Sequence, residues 1–412
     1  MNWDFLIKNK ASVSVSTDTR NLPEGCIFFA LRGANFNGNR FALQALEMGA
    51  AYAVVDEDIP ATCAQQKCFS KQLIRVDNSL RALQELSREW RRQWGKTVIG
   101  ITGTNGKTTT KELTAAVLKT KYNLLFTQGN LNNQVGVPLT LLKLTADNDL
   151  AIIEMGASHP GDIRELVEIA EPDCGLITNV GKAHLKGFGS FEGVMRTKAE
   201  LYEYLSEHGG FCFRNMDNPY LAQMAGGLKT VEYHTGQMLS NTHLVGAYNA
   251  ENVSAAICIG EYFGVEKAKA IEAIRAYIPS NNRSQLIQTE HNTLVVDAYN
   301  ANPTSMQAAI LNILNNSIPQ QTSNATFILG DMLELGEYSH TEHQNIVNLL
   351  LEQKIQDVLL VGDEFAHTTA PYPVFANAEA LVEYIKEHPL VGRYILLKGS
   401  HGIHLEKLIA YL

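Results

Sequence analysis

The sequence predicts an α/β protein with three domains, the central one built around a mostly parallel sheet. The chain has 412 residues, and a prior of roughly 150 residues per domain gives about two to four domains. Short apolar runs alternate with helical patterns along the chain, which is typical of strands joined by crossover helices. This pattern changes character twice, so we place the domains at residues 1–82, 83–282 and 283–412.

The first domain is predicted to be a small α/β unit. Its β-type runs are "GCIFFALRG", "AYAVVDED" and "QLIRVDN", and the helical pattern "RFALQALEMGA" lies between the first two. A longer helical stretch, "SLRALQELSREWRRQW", then leads to Trp94.

The second and third domains repeat this theme with longer apolar runs. The central domain contains "TVIGITG", "DLAIIEMG", "CGLITNVG" and "GGFCFRN", and the C-terminal domain contains "TLVVDAYN", "TFILGDM", "DVLLVGDEF" and "RYILLKGS". Continuous apolar runs indicate strands that are buried on both faces of a sheet. Ligands gather at the carboxyl ends of such strands. The segment "YIPSNNRSQ" predicts the linker between the two domains.

Composition and charge argue against several classes of function. The chain is 45% hydrophobic and 19% charged, as expected of a globular protein with real cores. Its net charge is −9, and it has no Lys/Arg-rich run, so we expect no nucleic-acid partner. No apolar run is long enough to cross a bilayer, and the start "MNWDFLIKNKASVS" does not resemble a secretory signal.

The cysteines indicate a reducing compartment. The six of them are scattered and form no C-x-x-C pair, so we expect no disulfide framework and a cytoplasmic protein. They are Cys26, Cys63, Cys68, Cys174, Cys212 and Cys258.

The stretch "GITGTNGKTTT", residues 100–110, predicts a phosphate-binding loop. It lies between a strand candidate and the helix candidate "TTTKELTAAVLKT", the context that such a loop requires. The common G-x-x-x-x-G-K-[ST] form would need a glycine at Ile101, and Gly103 stands three residues before Gly106 instead. Backbone N–H groups would surround the phosphates, Lys107 would supply a cation, and Thr108 would offer its hydroxyl to Mg²⁺. The alternative is a tight turn without a ligand.

Three further residues are candidates for a metal site. Glu154 ends a buried strand that follows the loop, and Mg²⁺ prefers oxygen ligands with one or two protein carboxylates. His184 follows a strand and a turn, and Lys198 comes fourteen residues later in a helical run. Taken singly, His184 would be a satisfied loop histidine and Lys198 a solvated lysine.

The block T-G-T-N-G-K-T-T resembles the ATP loop of the Mur ligases and of their folylpolyglutamate synthetase relatives. The resemblance runs in order along essentially the whole chain. It implies an N-terminal UDP-binding domain, a central P-loop-type ATPase domain and a C-terminal Rossmann-like domain. It also implies two Mg²⁺ ions, with His184 contacting the second ion and Lys198 carbamylated. The implied metal ligands are Thr108, Glu154, His184 and carbamylated Lys198, and the implied catalytic residues are Lys107, Glu154, His184 and Lys198.

The same resemblance implies an ATP site. In the family form G-x-H-N-x-x-N the asparagines contact adenine, and in "GAYNAENVSAA" Tyr248 replaces the histidine. Asp297 would hold the ribose and Arg283 would reach the phosphates. The implied ATP-binding residues are Gly103, Thr104, Asn105, Gly106, Lys107, Thr108, Thr109, Asn249, Asn252, Arg283 and Asp297.

Four blocks resemble the family members that add D-alanyl-D-alanine to UDP-N-acetylmuramoyl-tripeptide through an acyl phosphate, for peptidoglycan synthesis. They are "TQGNLNNQVGVPLTLL", "EMGASHPGDI", "DAYNANPTSM" and "LGDMLELGEYSHTEH". The chain departs from the family at Asn37-Gly38-Asn39, where D-G-H is usual, and at His401, where arginine is usual. The implied substrate-binding residues are Thr17, Asp18, Thr19, Arg20, Asn130, Asn132, Asn133, Tyr299, Asn300 and Asn302.

Several alternatives stay open at this point. The nearest is a ligase of the same superfamily that adds another amino acid or glutamate. Another is a catalytically silent binder of UDP-muramoyl-peptides. A P-loop GTPase is disfavoured because the chain lacks an N-K-x-D box. We expect a monomer, and the third residue of the peptide substrate can be L-lysine or meso-diaminopimelate.

Overall fold

The structure, a computed structural model, describes residues 3–8, 10–60, 69–246, 248–279, 283–315 and 324–412. Cys63, Cys68 and the linker residues 280–282 lie outside these ranges. The helices of the described residues are α1 Asp4–Ile7, α2 Ala42–Glu47, α3 Ser79–Trp94, α4 Lys107–Leu118, α5 Gly136–Leu141, α6 Asp162–Ala170, α7 Leu185–Phe188, α8 Phe191–Glu207, α9 Pro219–Ala225, α10 Asn249–Tyr262, α11 Lys267–Ala276, α12 Pro303–Leu314, α13 Ser339–Glu352, α14 Asp363–Ala366 and α15 Ala378–Glu387.

The strands are β1 Val15–Ser16, β2 Ile27–Phe29, β3 Arg32–Gly33, β4 Phe36–Asn37, β5 Tyr52–Val55, β6 Leu73–Arg75, β7 Thr97–Thr102, β8 Leu124–Phe126, β9 Leu150–Glu154, β10 Cys174–Ile177, β11 Phe211–Asn215, β12 Thr230–Tyr233, β13 Gln285–Gln288, β14 Thr293–Asp297, β15 Ala325–Gly330, β16 Val358–Val361, β17 Val374–Phe375 and β18 Tyr394–Lys398. Short 3-10 helices cover Thr19–Asn21, Gly38–Phe41, Gly336–Tyr338, His401–Ile403 and Leu405–Tyr411.

The N-terminal sheet has four parallel strands in the order β1-β2-β5-β6. Helix α2 packs on one face around Phe28 and Ala53, and the other face shares a core with α3 and the central domain. Strands β3 and β4 form a separate antiparallel pair. The boundary proposed after residue 82 falls inside α3, which runs unbroken from Ser79 to Trp94.

The central sheet places the phosphate loop at its middle. All six strands are parallel, in the order β12-β11-β10-β7-β9-β8, so β7 lies between β10 and β9. Ile101 of β7 is in register with Glu154 of β9. The loop that leaves β7 therefore starts one strand away from the Glu154 carboxylate.

The C-terminal sheet brings Asp297 next to a lysine. Its order is β13-β14-β18-β15-β16-β17, and β13 alone runs antiparallel to its neighbour. Asp297 at the end of β14 is in register with Lys398 at the end of β18. The carboxyl ends of these strands face the central domain's loops, since Asp297 and Lys398 line the same cavity as Lys107.

The central and C-terminal domains share part of their apolar packing. Leu185, Phe188 and Val194 of the central domain belong to the same buried cluster as Met332 and Leu335 of the C-terminal domain. An ion pair of 2.7 Å between Lys182 and Glu342 lies in the same region. The two domains are thus closed on one another here.

In the described part of the chain no helix is long and apolar enough to cross a membrane.

Candidate active site

A cavity of about 640 Å³ lies between the central and C-terminal domains. It brings together most of the residues that the sequence predicted to bind ATP, metal or substrate. Those lining it are Thr104, Asn105, Gly106, Lys107, Thr109, Asn132, Asn133, Glu154, His184, Asn249, Asn252, Arg283, Asp297, Tyr299 and Asn300. Thr108 and Lys198 are not among the lining residues. Thr108 donates to Glu154, which lines the cavity, and Lys198 is close enough to the lining residue Lys107 for that charge to lower its pKa.

The phosphate loop needs its two glycines. Gly103 has φ +143° and Gly106 has φ +79°, which side chains rarely adopt. A Cβ on Gly103 would lie 2.0 Å from Thr178 Oγ1, and one on Gly106 would lie 2.4 Å from Asn252 Oδ1. The loop therefore needs glycine at positions 103 and 106, because its backbone lies close to neighbouring side chains at both.

Lys107, the first residue of α4, folds back over this loop. Its Nζ donates to the carbonyl oxygens of Gly103 at 2.8 Å and Thr104 at 3.0 Å. Burial lowers the pKa of Lys107 to about 8, and the Glu154 carboxylate opposes that shift. The ammonium is thus held where phosphate oxygens can replace the carbonyls.

Glu154 has one carboxylate oxygen occupied and one free. Thr108 Oγ1 donates to Oε1 at 3.1 Å, and Asn132 Nδ2 donates to the same oxygen at 2.8 Å. Oε2 is buried and has no hydrogen-bond partner among the described residues. A buried carboxylate oxygen without a partner is costly, and a bound cation would satisfy it.

The side chains near Glu154 offer few protein ligands for a metal ion, which suits Mg²⁺. The described residues contain no group of three or more His, Cys, Asp or Glu side chains arranged to hold an ion. Mg²⁺ is usually bound by one or two carboxylates, with waters and substrate phosphates completing its shell. Glu154 Oε2 and the Thr108 hydroxyl fit that pattern.

His184 is held by a residue that the sequence analysis missed. Its Nδ1 makes a hydrogen bond with Glu334 Oε2, which comes from the loop after β15 in the C-terminal domain. Burial lowers the pKa of His184, and the Glu334 charge opposes this while the Lys107 and Lys198 charges add to it. The imidazole is therefore favoured in its neutral form, which is the form that binds metals.

Lys198 on α8 is only 2% exposed. Its Nζ lies 5.5 Å from the centre of the Phe188 ring, and no hydrogen bond or ion pair joins its side chain to another described residue. Burial and the nearby Lys107 charge place the pKa of Lys198 well below its usual value. A neutral amine of this kind is the form that can react with CO₂.

The two predicted adenine asparagines form a buried chain. Asn249 Nδ2 donates to Val245 O at 2.7 Å, and Asn252 Nδ2 donates to Asn249 Oδ1 at 2.8 Å. Thr110 of α4 donates to Asn252 Oδ1 at 2.9 Å. Tyr248, the departure from the family form, makes a 2.5 Å hydrogen bond with Ser284 of the C-terminal domain.

Arg283 and Asp297 line the cavity from the side of the C-terminal domain. The Arg283 guanidinium lies 4.1 Å from the centre of the Tyr299 ring, and His401 stacks on Tyr299 with the ring centres 5.6 Å apart. Asp297 Oδ2 accepts a 2.6 Å bond from Lys398 Nζ, which also donates to Asn300 O at 3.2 Å. Lys398 is a second functional candidate that sequence reasoning missed, although it ends the buried run "YILLK".

Asn302 does not line the cavity. It caps α12 by accepting from Ser305 N at 2.9 Å, and its Nδ2 donates to Asn105 Oδ1 at 2.7 Å. Asn302 therefore connects the C-terminal domain to the phosphate loop, whereas the sequence analysis placed it against the substrate.

Of the remaining residues predicted to bind the substrate, Asn133 lines the cavity and the others lie outside it. Asn133 Oδ1 accepts from Gly136 N, the first residue of α5, at 2.8 Å. Asn130 is exposed and does not line the cavity. The segment 17–20 in the N-terminal domain is also outside the cavity, and within it Asp18 pairs with Arg20 at 2.6 Å.

Asn39, at the position of the family's histidine, is 1% exposed. Its side chain donates to Asp56 Oδ1 at 2.7 Å and accepts from Asp56 N at 3.0 Å. Asn39 thus connects its loop to the residue that follows β5, a contact that the sequence alone did not reveal.

Sequence comparisons place the chain in a family. Three profiles match it in order: the Mur ligase family catalytic domain at residues 13–91, the Mur ligase middle domain at 101–236, and the Mur ligase glutamate ligase domain at 282–401. The UDP-N-acetylmuramoyl-tripeptide–D-alanyl-D-alanine ligase of Bacillus subtilis is 34% identical, over 96% of this chain and 92% of its own length. The chain belongs to the Mur ligase family.

Other Mur ligases agree with this assignment over nearly full length. The Escherichia coli ligase of the same name is 33% identical, over 97% of this chain and 93% of its own. The crystal structure of the MurF ligase from Thermotoga maritima in complex with ADP has a TM-score of 0.84 and 25% identity, covering 98% of each chain. The predicted family and three-domain α/β fold are confirmed.

Proposed function

We propose that this Mur ligase joins D-alanyl-D-alanine to UDP-N-acetylmuramoyl-tripeptide, with ATP converted to ADP and phosphate, as a step of peptidoglycan synthesis. The observation that carries the proposal is one cavity in which the phosphate loop and Glu154 face Arg283 and Asp297 of the C-terminal domain. The relatives that match over nearly their whole length carry the name of this activity.

The first step would transfer the γ-phosphoryl group. The terminal carboxylate of the tripeptide attacks the γ-phosphorus, the bond to the β,γ-bridging oxygen breaks, and ADP leaves with that electron pair. Loop N–H groups and Lys107 hold the phosphates in line, and Arg283 approaches them from the other domain. Phosphoryl transfer depends mainly on such positioning and on neutralising charge.

The second step would form the amide. The free amine of D-alanyl-D-alanine attacks the carbonyl carbon of the acyl phosphate. The tetrahedral intermediate collapses as the bond from carbon to the phosphate oxygen breaks, phosphate leaves with that electron pair, and the nitrogen loses its proton to phosphate or solvent. The closed domains keep water from the acyl phosphate, which would otherwise be hydrolysed. No side-chain nucleophile is needed.

Two Mg²⁺ ions and a carbamylated lysine are proposed to assist the first step. Two Mg²⁺ ions would neutralise charge on the transferring phosphoryl group when bound. Glu154 Oε2, the Thr108 hydroxyl and His184 are the residues proposed to hold them. Lys198 is proposed to be carbamylated, because its buried amine is favoured in the neutral form and makes no ion pair with any described residue.

The test is phosphate release from ATP with Mg²⁺, UDP-N-acetylmuramoyl-tripeptide and D-alanyl-D-alanine, each omitted in turn. We expect release only with all components present, together with a pentapeptide nucleotide product identified by mass. Lys107→Ala should abolish ADP formation, and the exposed Lys143→Ala serves as a matched control on the same domain.

Two other outcomes would replace the proposal. Release with a different amino acid in place of the dipeptide would indicate a sister ligase. Nucleotide binding without release for any acceptor would indicate a silent binder. Running the panel with L-lysine and meso-diaminopimelate tripeptides would also identify the third residue. A monomeric state and a cytoplasmic location stay predictions.

A further inference from the structure

Glu334 and His184 face each other across the two domains in unusual backbone conformations. His184 has φ +49° and Glu334 has φ +65°, both in the left-handed region. Residues other than glycine rarely occupy this region, and where they do the strain often marks a functional site. Here the two strained residues are also hydrogen-bonded to each other, through His184 Nδ1 and Glu334 Oε2.

The backbone around this contact is fixed as well. Lys186 N donates to Glu334 O at 3.2 Å. A Cβ on Gly336 would lie 3.1 Å from the Lys186 Cβ, so the two loops pack closely. The carboxylate is thus brought to the imidazole by the loop as a whole, although its side chain is 60% exposed.

The hydrogen bond determines which imidazole nitrogen is free. A neutral imidazole has one donor and one acceptor nitrogen. With Nδ1–H donating to the carboxylate, Nε2 keeps its lone pair, and no described residue makes a hydrogen bond with Nε2. Metal-binding histidines commonly donate their other N–H to a carboxylate, which fixes the ring and strengthens it as a ligand.

We propose that Glu334 is a positioning residue for His184, which presents Nε2 to a divalent cation accompanying the ATP phosphates. The inference rests on the proposed function, since it assumes that such a cation is bound. His184 belongs to the central domain and Glu334 to the C-terminal domain. The support for the imidazole is therefore complete only when the domains are closed.

The test measures cation binding directly. Full-length protein is saturated with the non-hydrolysable analogue AMPPCP and titrated with Mn²⁺, and free Mn²⁺ is followed by electron paramagnetic resonance. Glu334→Ala should weaken binding of the Mn²⁺ ion that His184 contacts by about 10- to 100-fold. This is the usual effect of removing a carboxylate that supports a metal-binding histidine. Glu334→Gln keeps an acceptor oxygen and should recover part of the loss.

Two controls separate positioning from general damage to the interface. Glu337→Ala removes an exposed carboxylate from the same loop. Lys182→Ala removes the neighbouring interdomain ion pair without touching the imidazole. Both should bind Mn²⁺ within about twofold of the wild type. In parallel, ¹⁵N spectra of histidine-labelled protein should show the Nδ1–H tautomer of His184 in the wild type and its loss in Glu334→Ala.

Equal Mn²⁺ affinity in the wild type and Glu334→Ala would overturn the proposal, as would an unchanged tautomer. A loss of the same size in Lys182→Ala would also overturn it, because closure alone would then explain the effect. These results are distinct from failure of the proposed function, which would appear as a wild-type protein that releases no phosphate with all three substrates.

Discussion

The Lys398 ammonium lies 2.6 Å from the Asp297 carboxylate, where two paired parallel strands end at the cavity. Lys398 is 1% exposed and the Asp297 side chain 16% exposed, so the ammonium has no ready access to bulk water as a replacement partner. The residue proposed to hold the ribose is therefore oriented before any nucleotide arrives.

Removing the lysine should destabilise the C-terminal domain. Lys398→Met leaves the partly buried Asp297 carboxylate without its ammonium partner. Breaking a fully buried pair costs about 3–5 kcal/mol, so we expect a loss at or below the lower end of that range. Thermal melting should show a lower midpoint, and the double variant Asp297→Asn/Lys398→Met should regain part of it. Strictly additive losses in the double variant would contradict the pairing.

ATP affinity should fall as the pH rises past 8. The pKa of Lys107 is lowered from 10.5 to about 8 by burial, so the ligand-free protein loses this proton in a range where the unfolded chain keeps it. The group thus adds stability to the ligand-free fold as the pH rises from about 8 to 10.5. Phosphates need the ammonium, so binding above pH 8 must take up a proton.

Calorimetry of ATP binding in two buffers of different ionisation enthalpy would measure that proton uptake. Lys107→Arg stays charged throughout this range, so its affinity, whatever its absolute value, should not show the drop. A wild-type affinity that is constant from pH 7 to 9.5 would refute the shifted pKa.

Adding a methyl group to either loop glycine should weaken ATP binding. Gly103→Ala and Gly106→Ala place a Cβ 2.0 Å and 2.4 Å from neighbouring side chains. Overpacking of this kind costs about 1–3 kcal/mol, or roughly 5- to 150-fold in affinity. Gly209→Ala is the control, since its φ is +72° and no atom lies within 4 Å. Comparable weakening in all three variants would point to backbone strain alone.

Loss of the buried lysine on α8 should be repaired in part by small anions. Lys198→Ala removes the amine proposed to carry the carbamate, and the space left is buried. We expect little phosphate release, with partial recovery on adding formate or acetate. Lys182→Ala should show no such recovery. Full activity of Lys198→Ala without additives would rule out its role.

The sequence predicted the inner strands because they are continuous apolar runs, such as "DLAIIEMG" and "TLVVDAYN". It missed six short ones, all at a sheet edge: β1, β4, β8, β12, β13 and β17. Edge strands are half-exposed and mix polar with apolar residues, as "QLIQ" in β13 does. The antiparallel direction of β13 also has no local signal, because direction depends on the path of the preceding linker.

The candidate site was predicted where residues lie close in sequence and less well where domains meet. The phosphate loop and Glu154 could be placed from strand ends alone. Glu334 could not, because its contact with His184 depends on how two domains dock. Asn302 was assigned to the substrate, and its bond to Asn105 depends on the same docking.

The apolar contact between the two domains has a thermal consequence. Opening the cavity to release product separates Leu185, Phe188 and Val194 from Met332 and Leu335 and exposes their surfaces to water. Exposure of apolar surface raises the heat capacity, and the hydrophobic contribution to closure weakens on cooling. The open form should therefore gain population in the cold, so that Arrhenius plots of turnover curve even while the chemistry of the two steps is unchanged.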